Sequence, residues 1–401
     1  MNMKKRFLEK PLKSAAKKYP IVTLTGPRQS GKTTLAKTAF PKYRYVSLED
    51  PDQRSFAEKD PRGFLEEYNQ YVILDEVQRV PQLFSYLQTL VDEKKLPGQF
   101  VLTGSNQFTL NEKISQSLAG RAAIFKLLPF SLAELLARPP QSFWEKPAAP
   151  SQKIAPPKAT LSRVIFEGLY PRIHDQKIDP RQWYRDYFET YVTKDVRNLL
   201  ELGDLRSFEQ FVRLLAGRSG QILNLTSLGN DLGVSHTTAK RWLSVLEASY
   251  LVALLPPYYK NFNKRIIKAP KVYFLDSGFL CFLLQIKNPK EWATHPQLGS
   301  IFETFIVSEI FKSFTHAGLT PPLYFWRDRS GTEIDLLIDH GGKGFPVEIK
   351  ASQTINQDFL RPISSWLKLP NNKQTEGAIV FGGKNYQKRS KLQIVPWYAV
   401  S

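Results

Sequence analysis

Residues 26–33 read Gly-Pro-Arg-Gln-Ser-Gly-Lys-Thr, a complete G-x-x-x-x-G-K-[ST] loop, entered from the apolar run Ile21-Val22-Thr23-Leu24-Thr25 and left through a helical stretch. Strand, glycine-rich loop and helix in that order make a phosphate cradle. The glycines let successive backbone N–H groups turn toward phosphate oxygens. The expected contacts to a triphosphate are Gly26, Pro27, Arg28, Gln29, Ser30, Gly31, Lys32, Thr33 and Thr34. Within them Lys32 reaches the β and γ phosphates and Thr33 ligates Mg²⁺, so ATP and Mg²⁺ are the expected cofactors.

Tyr71-Val72-Ile73-Leu74-Asp75-Glu76 is a buried-strand pattern ending in two acids. Asp75 is placed to hold Mg²⁺ through water, and Glu76 to polarise an attacking water. Further strands are expected at Tyr45-Val46-Ser47-Leu48, Phe100-Val101-Leu102-Thr103 and Ala123-Ile124-Phe125-Lys126-Leu127. Alternation with helical segments implies a parallel sheet with right-handed crossovers, whose ligands sit at the carboxyl ends of the strands. Thr103-Gly104-Ser105-Asn106 would lie there. Ser105, with Asn106 next, either orients the lytic water or senses the γ phosphate, the alternative being a simple turn. Arg121 is either an arginine finger, acting in its own chain or on a neighbour's site, or a surface arginine.

Taken together, G-P-R-Q-S-G-K-T-T, L-T-G-S and L-A-G-R make residues 1–138 resemble the nucleoside-triphosphatase core of the AAA+ superfamily. The likeness is to a bacterial and archaeal group with a C-terminal domain often described as nuclease-like. That resemblance implies a homo-oligomer assembled through the ATPase core.

The 401 residues suit two or three domains, and 42% hydrophobic content with 12% aromatics fills more than one core. The sequence holds no apolar run long enough to cross a bilayer, so no membrane partner is expected. Its first twenty residues are basic without a continuous apolar stretch, so no signal peptide is expected. Cys281 is the single cysteine and has no internal disulfide partner, which fits the cytoplasm.

The net charge of +19 is unevenly spread: residues 206–290 carry twelve lysines and arginines against four acids. Clustered cations point to a polyanion partner, nucleic acid and DNA in particular, the alternative being a solvated basic face.

Residues 139–160 are Pro-rich and are expected to form a poorly packed loop or linker. From 161 to 205 helical periodicity returns, with Trp183, Tyr184, Tyr187, Phe188, Tyr191 and Val192 on one face, as in a helical lid or bridge. Residues 206–285 follow a helix-turn-helix pattern. Leu225 to Leu232 gives a capped first helix, Gly233-Val234 the turn, and Ser235 caps a second helix running to about Tyr250. His236, Thr237, Lys240 and Arg241 then face outward on the second helix, as on a recognition helix. Strand-like segments at 251–255 and 272–275, with Lys264 and Arg265 between them, resemble a winged-helix hairpin, a module that serves DNA or protein partners.

In residues 286–401, Glu333-Ile334-Asp335-Leu336-Leu337-Ile338 reads as a strand bearing an acid, and Phe345-Pro346-Val347-Glu348-Ile349-Lys350 as a second strand with Glu348 and Lys350 on one face. Asp335 and Glu348 are expected to bind a divalent metal, Mg²⁺ or Mn²⁺. Lys350 would orient a nucleophilic water or stabilise developing negative charge, and the helical acid Glu303 would join the set. The arrangement resembles the PD-(D/E)xK phosphodiesterase fold, which turns over or is a degenerate, binding-only copy. The expected class is therefore α/β: a P-loop parallel-sheet ATPase core, a winged-helix-like domain and a C-terminal α/β nuclease-like domain. Two functions follow, an ATP-driven DNA-processing enzyme or a nucleotide-gated interaction switch with an inert C-terminal domain.

Overall fold

The computed structural model describes residues 4–105, 117–145, 154–192, 205–259, 268–369, 372 and 374–401. The chain divides into two compact units: Met1–Phe130 with Ala248–Tyr250 and Phe314–Thr320, and the remainder, Ser131–Glu247, Leu251–Ser313 and Pro321–Ser401.

The first unit is built on β1 (Ile21–Thr25), β2 (Arg44–Ser47), β3 (Val72–Asp75), β4 (Phe100–Gly104) and β5 (Ala122–Lys126), in the order β2-β3-β4-β1-β5. All the pairings are parallel, with Thr25 beside Gly104, and Ser47 beside Asp75. The strands expected from the sequence coincide with these to within one residue at each end. β1 and β4 are buried along their whole length, as a sheet covered on both faces requires. Successive residues of β1 serve opposite cores. Ile21 joins Leu74, Leu102 and the Leu83, Phe84 and Leu87 side chains of one helix, α5 (Leu83–Lys94). Val22 and Leu24 join Leu8 and Leu12 around α1 (Glu9–Ala16) and Leu35 and Ala36 of α2 (Lys32–Ala39). Between β2 and β3, α3 (Pro51–Lys59) and α4 (Pro61–Glu67) each start with proline at the first helical position. Their caps Asp50 and Asp60 accept the orphan N–H groups, worth about 1 kcal/mol each.

In the second unit the helical stretch expected at 161–205 is not continuous. Its described part comprises α6 (Leu161–Glu167), α7 (Pro171–Gln176) and α8 (Pro180–Tyr187), the last continuing as a wider turn over Phe188–Val192. Gly168 breaks it at φ +63°, where an added Cβ would run into the Tyr184 hydroxyl and the Asp276 carboxylate. Trp183, Tyr184, Tyr187 and Phe188 of the aromatic stripe are core, as the spacing indicates, while the side chains of Tyr191 and Val192 lie outside the described residues. Trp183 stacks on Tyr187 with centroids 4.9 Å apart, and Tyr187 and Phe188 meet Phe279.

Next come α9 (Leu205–Ala216), α10 (Leu225–Leu232) and α11 (His236–Ala248), then the antiparallel pair β6 (Val252–Leu255) and β7 (Lys271–Phe274). Phe208 and Phe211 of α9 both meet Trp242 of α11 edge-on, contacts worth about 0.5–1.5 kcal/mol each beyond their burial. Helix α12 (Ser277–Leu283) precedes the long α13 (Leu298–His316). The C-terminal sheet is mixed, in the order β12-β13-β11-β10-β9-β8, with β8 (Leu323–Arg327), β9 (Glu333–His340), β10 (Lys343–Lys350), β11 (Gly377–Phe381), β12 (Gln387–Arg389) and β13 (Leu392–Pro396).

The Pro-rich stretch departs from the expected loose linker in its described part. Phe143 is buried, packs edge-on against Phe345, and its carbonyl accepts a hydrogen bond from Gln393 Nε2 at 3.1 Å. An aromatic residue among the prolines supplies apolar area that composition alone does not reveal.

Candidate functional sites

At the carboxyl edge of the first sheet the chain turns from β1 into α2 through the glycine-rich loop. Gly26 has φ +148°, and a Cβ there would collide with the Leu127 carbonyl; Gly31 has φ +95° as the residue before the helix. Only glycine takes both positions without strain. Lys32 is buried, and its Nζ donates to the carbonyls of Gly26 (3.0 Å) and Pro27 (2.9 Å). Burial lowers its pKa, against the raising pull of Glu76 and Asp75.

Three hydroxyl groups converge on Asp75. Thr33 Oγ1 donates at 3.0 Å to Oδ2, Tyr45 donates at 2.8 Å to the same oxygen, and Thr103 Oγ1 donates to Oδ1. The two expected magnesium-side residues, Thr33 and Asp75, are thus adjacent. Glu76 lies in the left-handed region at φ +55°, a conformation that costs a non-glycine residue about 1 kcal/mol or more and turns its carboxylate off the strand end. Its Oε2 accepts from Ser105 Oγ at 3.0 Å and from Gln78 Nε2. The structure therefore brings Lys32, Thr33, Asp75, Glu76 and Ser105 to one strand edge. The Ser30 hydroxyl, buried in the loop, has no hydrogen-bond partner among the described residues. Glycine cradle, lysine, threonine and paired carboxylates fit a magnesium-bound nucleoside triphosphate.

Arg121 stands apart. It forms a two-pronged pair with Asp92, Nε to Oδ1 at 2.6 Å and Nη2 to Oδ2 at 2.7 Å. Asn106 lies outside the described residues.

Tyr45, Thr103 and Gln78 are site residues that spacing did not single out. Thr103 sits inside the quoted Thr103-Gly104-Ser105 segment, but its strand position hid the inward-facing hydroxyl. Arg6 was missed too, as one of several N-terminal basic residues. It is buried over the Phe130 ring and donates to the carbonyls of Ser30 (2.8 Å) and Leu128 (2.6 Å), bracing the loop from behind.

In the second unit the acids expected at 303, 335 and 348 gather around two lysines. The β9–β10 ladder runs to Val347 opposite Leu336. Just beyond it Asp335 Oδ2 accepts the Ile349 N–H at 2.8 Å and pairs with Lys350 Nζ at 3.1 Å. Lys350 also pairs with Glu348 Oε2 at 2.8 Å. From β7, Lys271 Nζ pairs with Glu303 Oε1 at 3.3 Å and with Glu333, while Tyr273 donates to Glu303 Oε1 at 2.6 Å. Burial and then the Asp335 charge push Glu303 up to about 7 and Glu348 up to about 8. Burial lowers both lysines, but the acids outweigh it and raise them. Among the described residues no three carboxylate, imidazole or thiolate groups converge closely enough to hold a metal ion together. Lys271 engages Glu303, while Lys350 engages the other two. The buried Glu348 Oε1 has no hydrogen-bond partner among the described residues, an orphan acceptor that suits a cation.

On α11, His236, Thr237, Lys240 and Arg241 are all exposed, whereas Ala239, Trp242, Leu243 and Leu246 are buried. Lys264 and Arg265 lie outside the described residues. Among the described residues no helix is long and apolar enough to cross a membrane.

Residues 18–136 match the AAA domain family, residues 158–290 a domain of unknown function (DUF8612) and residues 298–400 another (DUF4143). With the geometry above, the first unit carries an AAA-type P-loop ATPase core. Uncharacterized proteins of Mycobacterium tuberculosis and Mycobacterium bovis are each 29% identical over 359 residues, covering 88% of this chain and 75% of theirs. Among solved structures, a Walker-type ATPase of Pyrococcus abyssi is 16% identical with a TM-score of 0.43, covering 69% of this chain and 94% of that one. AMPPCP-bound DnaA from Aquifex aeolicus is 14% identical with a TM-score of 0.30, covering 60% and 85%. At these values neither likeness bears on what this chain does.

Proposed function

We propose that this protein is an ATP-hydrolysing, DNA-processing enzyme. ATP binds the backbone of residues 26–34, with Mg²⁺ held by Thr33 and, through water, Asp75. Glu76 takes the proton from the attacking water, Ser105 keeps the Glu76 carboxylate aimed, and Lys32 turns from its own loop carbonyls to the β and γ phosphates. Mg²⁺ supplies charge neutralisation across the phosphates. The observation that carries this reading is the convergence at Asp75, which joins Thr33 of the loop to β3 through a 3.0 Å hydrogen bond.

Within the same proposal α9 to α11 and the β6–β7 pair act as a winged-helix-like module. Its exposed His236, Thr237, Lys240 and Arg241 would meet phosphates and base edges, as the surplus of basic residues over 206–290 favours. The C-terminal sheet would work as a PD-(D/E)xK-type phosphodiesterase, with a divalent cation at Asp335 and Glu348 and Lys350 beside the water it activates. Assembly through the ATPase core would let Arg121 exchange Asp92 for a neighbour's γ phosphate.

The test is ATP turnover with and without plasmid, branched and single-stranded DNA across salt concentrations, alongside cleavage in Mg²⁺ or Mn²⁺. Stimulation by one DNA form, with cleavage lost in Asp335→Ala while ATP turnover persists, supports the reading. Cleavage surviving that change removes the metal site. A nucleotide-gated interaction switch with an inert C-terminal domain is the second reading, favoured by the absence of a three-carboxylate convergence among the described residues. It expects ATP-dependent partner capture that is indifferent to salt and to DNA.

A further inference from the structure

We infer that Lys271 is a built-in cation of the C-terminal acidic site: it holds Glu303 out of the metal's coordination and limits that site to a single divalent ion at Asp335 and Glu348. The inference rests on the proposed metal-dependent reading and deepens it.

Strand alternation puts Lys271 and Tyr273 on one side of β7, and both reach Glu303 Oε1, at 3.3 and 2.6 Å. The Lys271 side chain is 4% exposed, against 29% for Lys350, so its charge is fixed in place and weakly screened. Glu333, the neighbour of Asp335 across one residue of β9, pairs with the same ammonium, and its other oxygen lies 3.9 Å from Arg327 at the rim.

Charge decides the count. With every acid ionised, as metal binding requires, Glu303, Glu333, Asp335 and Glu348 bring four carboxylates and Lys271 and Lys350 two ammonium groups, which leaves two negative charges, the half-exposed Arg327 at the rim being screened by water. One divalent ion cancels that surplus; a second would carry buried positive charge without a counter-ion, which a low-dielectric site resists. Geometry assigns the position. Glu303 is held on Oε1 by two donors from β7, and Asp335 and Glu348 are each held on one oxygen by Lys350, but of these acids only Glu348 keeps an oxygen, Oε1, that is buried with no hydrogen-bond partner among the described residues. The open acceptor therefore lies on the β9–β10 side, where Asp335 and Glu348 would hold the ion.

The experiment is Mn²⁺ titration of the full chain without nucleotide, by calorimetry and by electron paramagnetic resonance of the free ion. Binding is counted as the difference from Asp335→Asn. Wild type is expected to bind one Mn²⁺ at this site. Lys271→Met leaves three negative charges in surplus and is expected to admit a second ion. The double change Lys271→Met with Glu303→Gln removes the pair together and keeps the surplus at two. It is expected to restore one ion with affinity within about threefold of wild type, and it tests the inference even if Lys271→Met alone does not fold. Two ions in wild type, or loss of binding by more than about tenfold in the double variant, would make Glu303 a ligand and overturn the inference. No Asp335-dependent Mn²⁺ in wild type would instead overturn the metal reading beneath it.

Discussion

Tyr45 and Thr33 donate to the same oxygen of Asp75, at 2.8 and 3.0 Å, from two different elements of the first unit. The carboxylate proposed to hold magnesium is thereby fixed in orientation by the protein's own hydroxyl groups. Burial and the Asp75 bond push the Tyr45 hydroxyl up to about 12, so it stays a donor throughout the working pH range. Tyr45→Phe removes only that donor. The expected outcome is a rise of about tenfold in the Mg²⁺ concentration giving half-maximal ATP hydrolysis, with kcat at saturating Mg²⁺ nearly unchanged. A magnesium titration of the turnover rate measures it, and an unchanged half-saturation point would show that Tyr45 does not orient Asp75.

Arg121 is expected to act only after leaving Asp92. If it serves a neighbour's site, Arg121→Ala lowers ATP turnover by about 10³-fold, and Asp92→Ala, which frees the guanidinium, does not. Mixing Arg121→Ala with Lys32→Ala subunits should restore activity, since each supplies what the other lacks. Equal, small effects of Arg121→Ala and Asp92→Ala would reduce the arginine to half of a surface pair.

For the basic helix, Lys240→Ala and Arg241→Ala should each weaken DNA binding and reduce the slope of log affinity against log salt by about one. Fluorescence anisotropy over a salt series reads both. A loss of affinity with no change in slope would place these residues away from phosphates.

Gly168→Ala should destabilise the second unit by about 2–4 kcal/mol. Its backbone lies at φ +63°, and the added methyl displaces the Tyr184 hydroxyl from Asp276 Oδ1, where it now donates at 2.6 Å. Urea unfolding followed by tryptophan fluorescence measures the shift. A midpoint equal to wild type would mean that the α6–α8 corner relaxes at little cost.

Where local pattern determines structure, the sequence was informative. β1 to β5 follow from apolar runs, and the phosphate loop from its glycines and lysine. Glu348 and Lys350 sharing a face follows from the two-residue period of a strand, and Asp335 stands out as an acid within an apolar run. Contacts across long stretches of chain were not legible. Thr103 reaching Asp75, Arg6 reaching Leu128 and Lys271 reaching Glu303 each depend on which elements become neighbours, and no local period encodes that. The break at Gly168 escaped for a related reason: helical spacing on both sides of it reads as one helix until Asp276, far along the chain, fills the place of a side chain. Phe143 hid among prolines because composition averages over the one residue that packs.

The most direct test is ATP binding and single-turnover hydrolysis by Glu76→Gln beside wild type. The amide keeps the shape of the side chain next to Ser105 and removes its ability to take a proton. Binding of Mg²⁺-ATP within about threefold of wild type, with hydrolysis slower by about 10² to 10⁴-fold, is the expected result. Hydrolysis at the wild-type rate, or no Mg²⁺-ATP binding by wild type itself, would contradict the assignment of this strand edge as an ATPase site.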